Sequence, residues 1–299
     1  MLDRRQFLQW TGATAASVLA ASAFAEAPQL PRGPTLAHKE FAALEATTGG
    51  RLGVMLLNTE TGWSAGHRQN ERFPMCSTFK FVLAAAVLHL TDQGELSLDR
   101  RILVRPQDMI AHAPVTSRHV GKDLSVRDLC RATMITSDNP AANLLLSLVG
   151  GPAGVTRFLR ENGDAVTRSD RTEPEVNRFS AADPRDTTSP EAMAASLKRF
   201  VLGDVLKPAS RHQLADWLID NETGDSRLRA GLSKDWRVGD KTGSNGQDTS
   251  NDIAILWPLS GGAPWILTCY LQGVETDEAA RNDLLAQVAA LAEALIGAA

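Results

Sequence analysis

The chain has 299 residues, 43% of them hydrophobic and 22% charged, enough to bury a sizeable core in one large domain or two intertwined ones. Its 31 basic and 35 acidic side chains leave a net charge of −4 with no long block of either sign. That distribution argues against a nucleic-acid surface and for a small-molecule partner. The six histidines, His38, His67, His89, His112, His119 and His212, form no H-x-H or H-x-x-x-H pair, so no metal is expected. Cys76, Cys130 and Cys269 lack C-x-x-C spacing and are odd in number, which leaves a free thiol in a monomer. Nothing in the sequence suggests more than a monomer.

The N-terminus reads as an export signal. Asp3-Arg4-Arg5-Gln6-Phe7-Leu8 places two arginines before an apolar stretch, Trp10 to Phe24, that closes on the small-x-small pattern Ala23-Phe24-Ala25. The paired arginines resemble a twin-arginine signal, cleaved after Ala25, which implies delivery to the periplasm. No later apolar run is long and uncharged enough to span a bilayer, so no membrane association is expected once the signal is removed.

Beyond a Pro-rich stretch, Thr35 to Ala46 reads as a helix with Thr35 as its N-cap and Gly49-Gly50 as its stop. Arg51 to Asn58 reads as a buried strand, and Trp63 to Arg68 returns from the turn Thr59-Glu60-Thr61-Gly62 as its hairpin partner. From Ser77 to about Leu202 helical signals dominate. Phe79 to Leu90 is apolar nearly all round, as a central helix must be, and Gly94 follows as its stop. Ser125 caps a helix that ends near Ser137, and further helices are expected at Pro140 to Val149, Gly151 to Glu161, Pro190 to Val201 and Ser210 to Ile219. A polar stretch between Asp164 and Ser189 is too long for an ordinary connection, which marks it as functional or disordered. Strands return at Trp236 to Lys241, Asn251 to Trp257 and Trp265 to Gln272, before a closing helix from Thr276 to Ile296. The expected architecture is α/β with two domains. Residues 26–72 and 220–299 build a five-stranded antiparallel sheet flanked by N- and C-terminal helices, and residues 73–219 form an inserted all-α domain.

Four stretches carry chemistry. Ser77 stands three residues before Lys80 at the head of the buried helix, a spacing that puts amine and hydroxyl on one face, so Ser77 is a candidate nucleophile. Ser137-Asp138-Asn139 follows a helix end, where capping and turn formation alone would also account for it. Lys241-Thr242-Gly243, followed by Ser244, ends a strand. A cation, a hydroxyl and a glycine there suit capture of a carboxylate on a peptide-like backbone. The fourth is Arg171-Thr172-Glu173-Pro174-Glu175-Val176-Asn177, inside the long polar loop.

In that order and context the first three stretches resemble the motifs of the acyl-serine penicillin-recognising superfamily, and the fourth resembles the omega loop of class A serine β-lactamases. The resemblance covers almost all of the chain beyond the signal, with the loop at about 168–186. It implies the β-lactamase/transpeptidase-like fold and a β-lactamase that opens the lactam amide of penicillins and cephalosporins without a cofactor. Ser77 would attack the carbonyl, with the backbone N–H groups of Ser77 and Ser244 as the oxyanion hole. Lys80 and Glu173 would share activation of Ser77, and Ser137 would relay a proton to the leaving nitrogen. Asn139 would hold the substrate's side-chain amide, while Lys241 and Thr242, beside Gly243, receive its carboxylate. Glu173 and Asn177 would position the hydrolytic water. Arg227 resembles an arginine that supports the carboxylate pocket in some members, and His112 falls where relatives place a contact residue at the rim. An Arg171–Asp186 ion pair and a cis Glu173–Pro174 bond are implied as features of the loop.

Two disulfides known in the family are not expected: Asn245 stands where a partner for Cys76 would be, and Ala84 where a partner for Cys130 would be. Cys76 therefore does not by itself imply carbapenem hydrolysis. The nearest rivals on the same motifs are a D,D-peptidase and a penicillin sensor that stays acylated. Neither needs Glu173 and Asn177.

Overall fold

The computed structural model describes residues 35–180 and 182–297, so the export signal and its cleavage position lie outside the described residues. The chain opens with helix α1 (Thr35–Glu45) and the hairpin β1 (Arg51–Asn58) and β2 (Ser64–His67). The short strand β3 (Phe73–Pro74) leads through a single 3₁₀ turn into α2 (Phe79–Gln93). The short strands β4 (Arg101–Leu103) and β5 (Asp123–Ser125) precede α3 (Val126–Ile135), α4 (Asn139–Leu148) and α5 (Gly151–Glu161). After the long loop come β6 (Thr187–Thr188), α6 (Pro190–Leu197) and α7 (Pro208–Ile219). The chain closes with β7 (Trp236–Ser244), β8 (Ser250–Pro258), β9 (Trp265–Gln272) and α8 (Glu278–Gly297).

Five strands form one antiparallel sheet in the order β2-β1-β9-β8-β7, built from both ends of the sequence as expected. The two-residue period of the strands divides the core between its faces. On β9, Leu267, Cys269 and Leu271 turn outward and pack with Phe41, Leu285 and Val288, which belong to α1 and α8. Ile266 and Tyr270 turn inward, and with Met55 and Leu57 of β1 they join the helices in one continuous core. At the centre of that core α2 buries every residue from Phe79 to Leu88, so its all-round apolarity reflects a helix with no solvent face over that span. Gly94 ends it at φ 80°, a left-handed cap whose N–H reaches back to the carbonyls of Leu90 and Thr91.

The strands Arg51–Asn58 and Trp265–Gln272 and the helix Gly151–Glu161 lie where the sequence pattern places them. Ser125 caps α3 in a reciprocal capping box with Asp128. Two features depart from expectation. β3 pairs with β6, and β4 with β5, inside residues 73–219, which were expected to form an all-α domain. The helix expected from Pro190 to Val201 leaves α geometry after Leu197 and makes a π turn over Lys198–Leu202. The long polar stretch, expected to be functional or disordered, is closed by packing: Arg168 N–H donates to the Thr187 carbonyl, and Val176 and Asp186 are buried.

Candidate active site

Three elements converge on the serine. The sharp entry into α2 holds Cys76 at φ 46° and Ser77 in the single 3₁₀ turn before it. Strand β7 lies against that turn: a Cβ built on Gly243 would come within 2.7 Å of the Met75 carbonyl and 3.2 Å of the Ser77 nitrogen. Only a residue without a side chain lets the strand approach the nucleophile this closely. Asn251 of β8 fixes the same corner by donating from Nδ2 to the carbonyls of Pro74 and Met75.

Lys80, the second residue of α2, is fully buried. Its Nζ donates to the Ser137 carbonyl at 2.7 Å, to Ser137 Oγ at 3.3 Å and to Asn139 Oδ1 at 2.5 Å, and it lies 3.1 Å from Glu173 Oε1. Burial pushes its pKa below the ordinary lysine value, against the opposing pull of the Glu173 carboxylate. Lys241 is fully buried on β7 and donates to Ser137 Oγ at 3.3 Å. Its pKa is pushed down to about 7, first by burial and then by the neighbouring Lys80 cation. The Ser137 hydroxyl thus stands between two ammonium groups. It is held there by a left-handed backbone at φ 60°, a conformation rare for serine and characteristic of functional turns. Asp138, the next residue in the chain, turns away and accepts from Thr116 and from the Ala141 N–H, so it caps α4 and anchors the turn.

Glu173 enters from the long loop. Its Oε1 accepts from Ser77 Oγ at 3.5 Å, and its Oε2 accepts from Asn177 Nδ2 at 2.6 Å. Asn143 of α4 clamps the Glu173 backbone by donating from Nδ2 to its carbonyl and accepting its N–H at Oδ1, both at 2.9 Å. The Glu173–Pro174 bond is cis, and Arg171 pairs with Asp186 at 2.5 Å. Asp186 also accepts the N–H groups of Asp170 and Arg171, closing the base of the loop.

Arg227 is buried behind β7. Its Nη1 donates to the carbonyls of Gly243 and Asn251, and its remaining donors go to Asn282 and Glu278. It therefore braces the strand that carries Lys241, Thr242 and Ser244. Thr242 Oγ1 meets Thr223 Oγ1 at 2.5 Å. His112 is exposed, with a left-handed backbone, and its ring nitrogen contacts the Thr136 carbonyl while its own carbonyl accepts the Asn139 N–H. All three cysteines are buried and free.

A family model described as the β-lactamase enzyme family matches residues 36–295. The chain belongs to that family. It is 60% identical to β-lactamase L2 of Stenotrophomonas maltophilia over 99% of this chain and all of that protein. A solved β-lactamase from Xanthomonas campestris is 59% identical and superposes at a TM-score of 0.86, covering 87% of this chain and 97% of its own. An ancestral Gram-negative class A β-lactamase is 54% identical at a TM-score of 0.85, covering 87% and 99%. The class A assignment and its fold follow. A second model, for the twin-arginine translocation signal, matches residues 1–21 and assigns export to the periplasm.

In this class A member the motif residues Ser77, Lys80, Ser137, Asn139, Glu173, Asn177, Lys241, Thr242, Gly243 and Ser244 are gathered at one junction of α2, α4, β7 and the loop, with His112 at its margin and Arg227 behind it. Sequence reasoning missed Asn143, Asn251 and Thr223. Each is a single amide or hydroxyl inside or beside a regular element, and no spacing rule singles it out.

Proposed function

We propose that this β-lactamase opens the lactam amide of penicillins and cephalosporins through an ester on Ser77 and then hydrolyses that ester. Ser77 Oγ attacks the carbonyl as its proton passes to the Lys80–Glu173 pair. The oxyanion is met by the backbone N–H groups of Ser77 and Ser244, where loss of one donor typically costs about 10²–10³ in rate. Ser137 delivers a proton to the departing lactam nitrogen and is resupplied by the ammonium groups on either side of it. Lys241 and Thr242, braced by Arg227, take the substrate carboxylate. Asn139 takes its side-chain amide, and His112 makes a contact at the rim.

Deacylation needs a base beside the ester. In this reading Glu173 removes a proton from a water that Asn177 helps to orient, the hydroxide displaces Ser77 Oγ from the acyl carbon, and the proton passes back to restore the Ser77 hydroxyl and the Glu173 carboxylate. The observation that carries the reading is the Glu173 carboxylate, which faces the Ser77 hydroxyl with one oxygen and is held by Asn177 through the other. That arrangement favours turnover over the stable acylation of a sensor or the transpeptide chemistry of a D,D-peptidase. The test is a folded Ser77→Ala protein, which should hydrolyse penicillin no faster than buffer. Retained hydrolysis would remove Ser77 from the mechanism.

A further inference from the structure

A cavity of about 720 Å³ lies away from the catalytic junction, walled by α6 and its π turn, by the end of β1 and by residues 163–166. It shares no residue with the catalytic set described above. Its walls are mostly apolar, with Leu57, Ala192, Ala195 and Leu202 among them. Two cations of the π turn, Lys198 and Arg199, also line it. Lys198 is engaged, donating to the Thr59 carbonyl at 2.7 Å. Asp164 is engaged as well, its carboxylate accepting from Val166 N–H, Thr167 N–H and Ser196 Oγ. Arg199 differs: its Nη1 is shielded from solvent and has no hydrogen-bond partner among the described residues.

A buried guanidinium N–H without an acceptor is uncommon, because the group loses its water without replacement. Arg199 is one of the residues that line the cavity, which is wide enough for a small organic molecule and otherwise suited to an apolar one. We propose that this cavity is a second binding site, for a small organic anion whose carboxylate or sulfonate pairs with Arg199 and whose apolar body fills the space between α6 and residues 163–166. The planar guanidinium fork suits an oxyanion in particular.

The test uses the mature enzyme and two fluorescent probes with one body, 8-anilinonaphthalene-1-sulfonate and its uncharged analogue N-phenyl-1-naphthylamine. The sulfonate should bind at one equivalent, at least tenfold more tightly than the neutral probe. Arg199→Gln should erase that preference. Ala195→Trp, which fills the cavity without touching the cation, should abolish binding of both probes, and penicillin turnover should be unchanged in both variants. Equal affinity for the two probes, or wild-type sulfonate binding in both variants, would overturn the proposal. So would displacement of the sulfonate when Glu173→Ala enzyme is first loaded with penicillin, because the probe would then occupy the catalytic cleft.

Discussion

Asn177 Nδ2 holds one oxygen of the Glu173 carboxylate at 2.6 Å and leaves the other 3.5 Å from the Ser77 hydroxyl. The two oxygens therefore have different surroundings. One is tied to the loop that carries it, and the other faces the nucleophile and, at 3.1 Å, the Lys80 ammonium. Asn143 fixes the backbone of the same residue from α4. A long, mobile side chain is thus placed without free rotation, the condition for a base that must act on a water beside an ester.

Removing that base should separate the two halves of the reaction. Glu173→Ala is expected to acylate with penicillin but to deacylate about 10²–10⁴ more slowly, the usual worth of a positioned general base. Intact-protein mass spectra should show the acyl adduct persisting, and normal turnover by this variant would remove Glu173 from deacylation.

Lys241 should impose a pH limit. Its pKa is pushed down to about 7 in the free enzyme, so the cation that receives a substrate carboxylate is present below that pH and is lost as pH rises through it. The profile of kcat/KM should therefore fall on the alkaline side, chiefly through KM. Lys241→Arg keeps its charge at all working pH values, and in that variant the alkaline limb should move to higher pH. An unmoved limb would assign it to another group.

Gly243 should tolerate no side chain. A Cβ there meets backbone, the Met75 carbonyl at 2.7 Å, so Gly243→Ala must push β7 away from the turn that bears Ser77. A displacement of that kind commonly costs about 10²-fold in rate, and kcat/KM for penicillin is expected to fall by that order. A melting temperature that stays close to wild type would show that the loss is one of position rather than of folding.

Much of this architecture is written in local pattern. Arg51–Asn58 and Trp265–Gln272 are unbroken β-rich runs between turn residues, and Gly94 and Ser125 mark helix ends by backbone and side-chain chemistry that acts over four residues. What escaped notice depends on partners distant in the chain. Phe73–Pro74 is a strand only because Thr187–Thr188 lies beside it, and two residues give no period to read. The end of α6 reads as a continuing α-helix, yet it becomes a π turn over Lys198–Leu202. The catalytic motifs were visible because their spacing has chemical meaning. The residues that hold them in place were not: Asn143 clamps Glu173 across 30 positions, and Asn251 reaches Pro74 across 177.

The central claim is that Ser77 forms an ester that Glu173 then clears. The most direct measurement mixes the mature protein with excess penicillin and follows protein mass and free drug together. A transient adduct on the Ser77 peptide, alongside hydrolysis of many equivalents of drug, is the predicted result. A stable adduct at one equivalent, with the remaining drug intact, would contradict the account and leave Glu173 and Asn177 without a catalytic role.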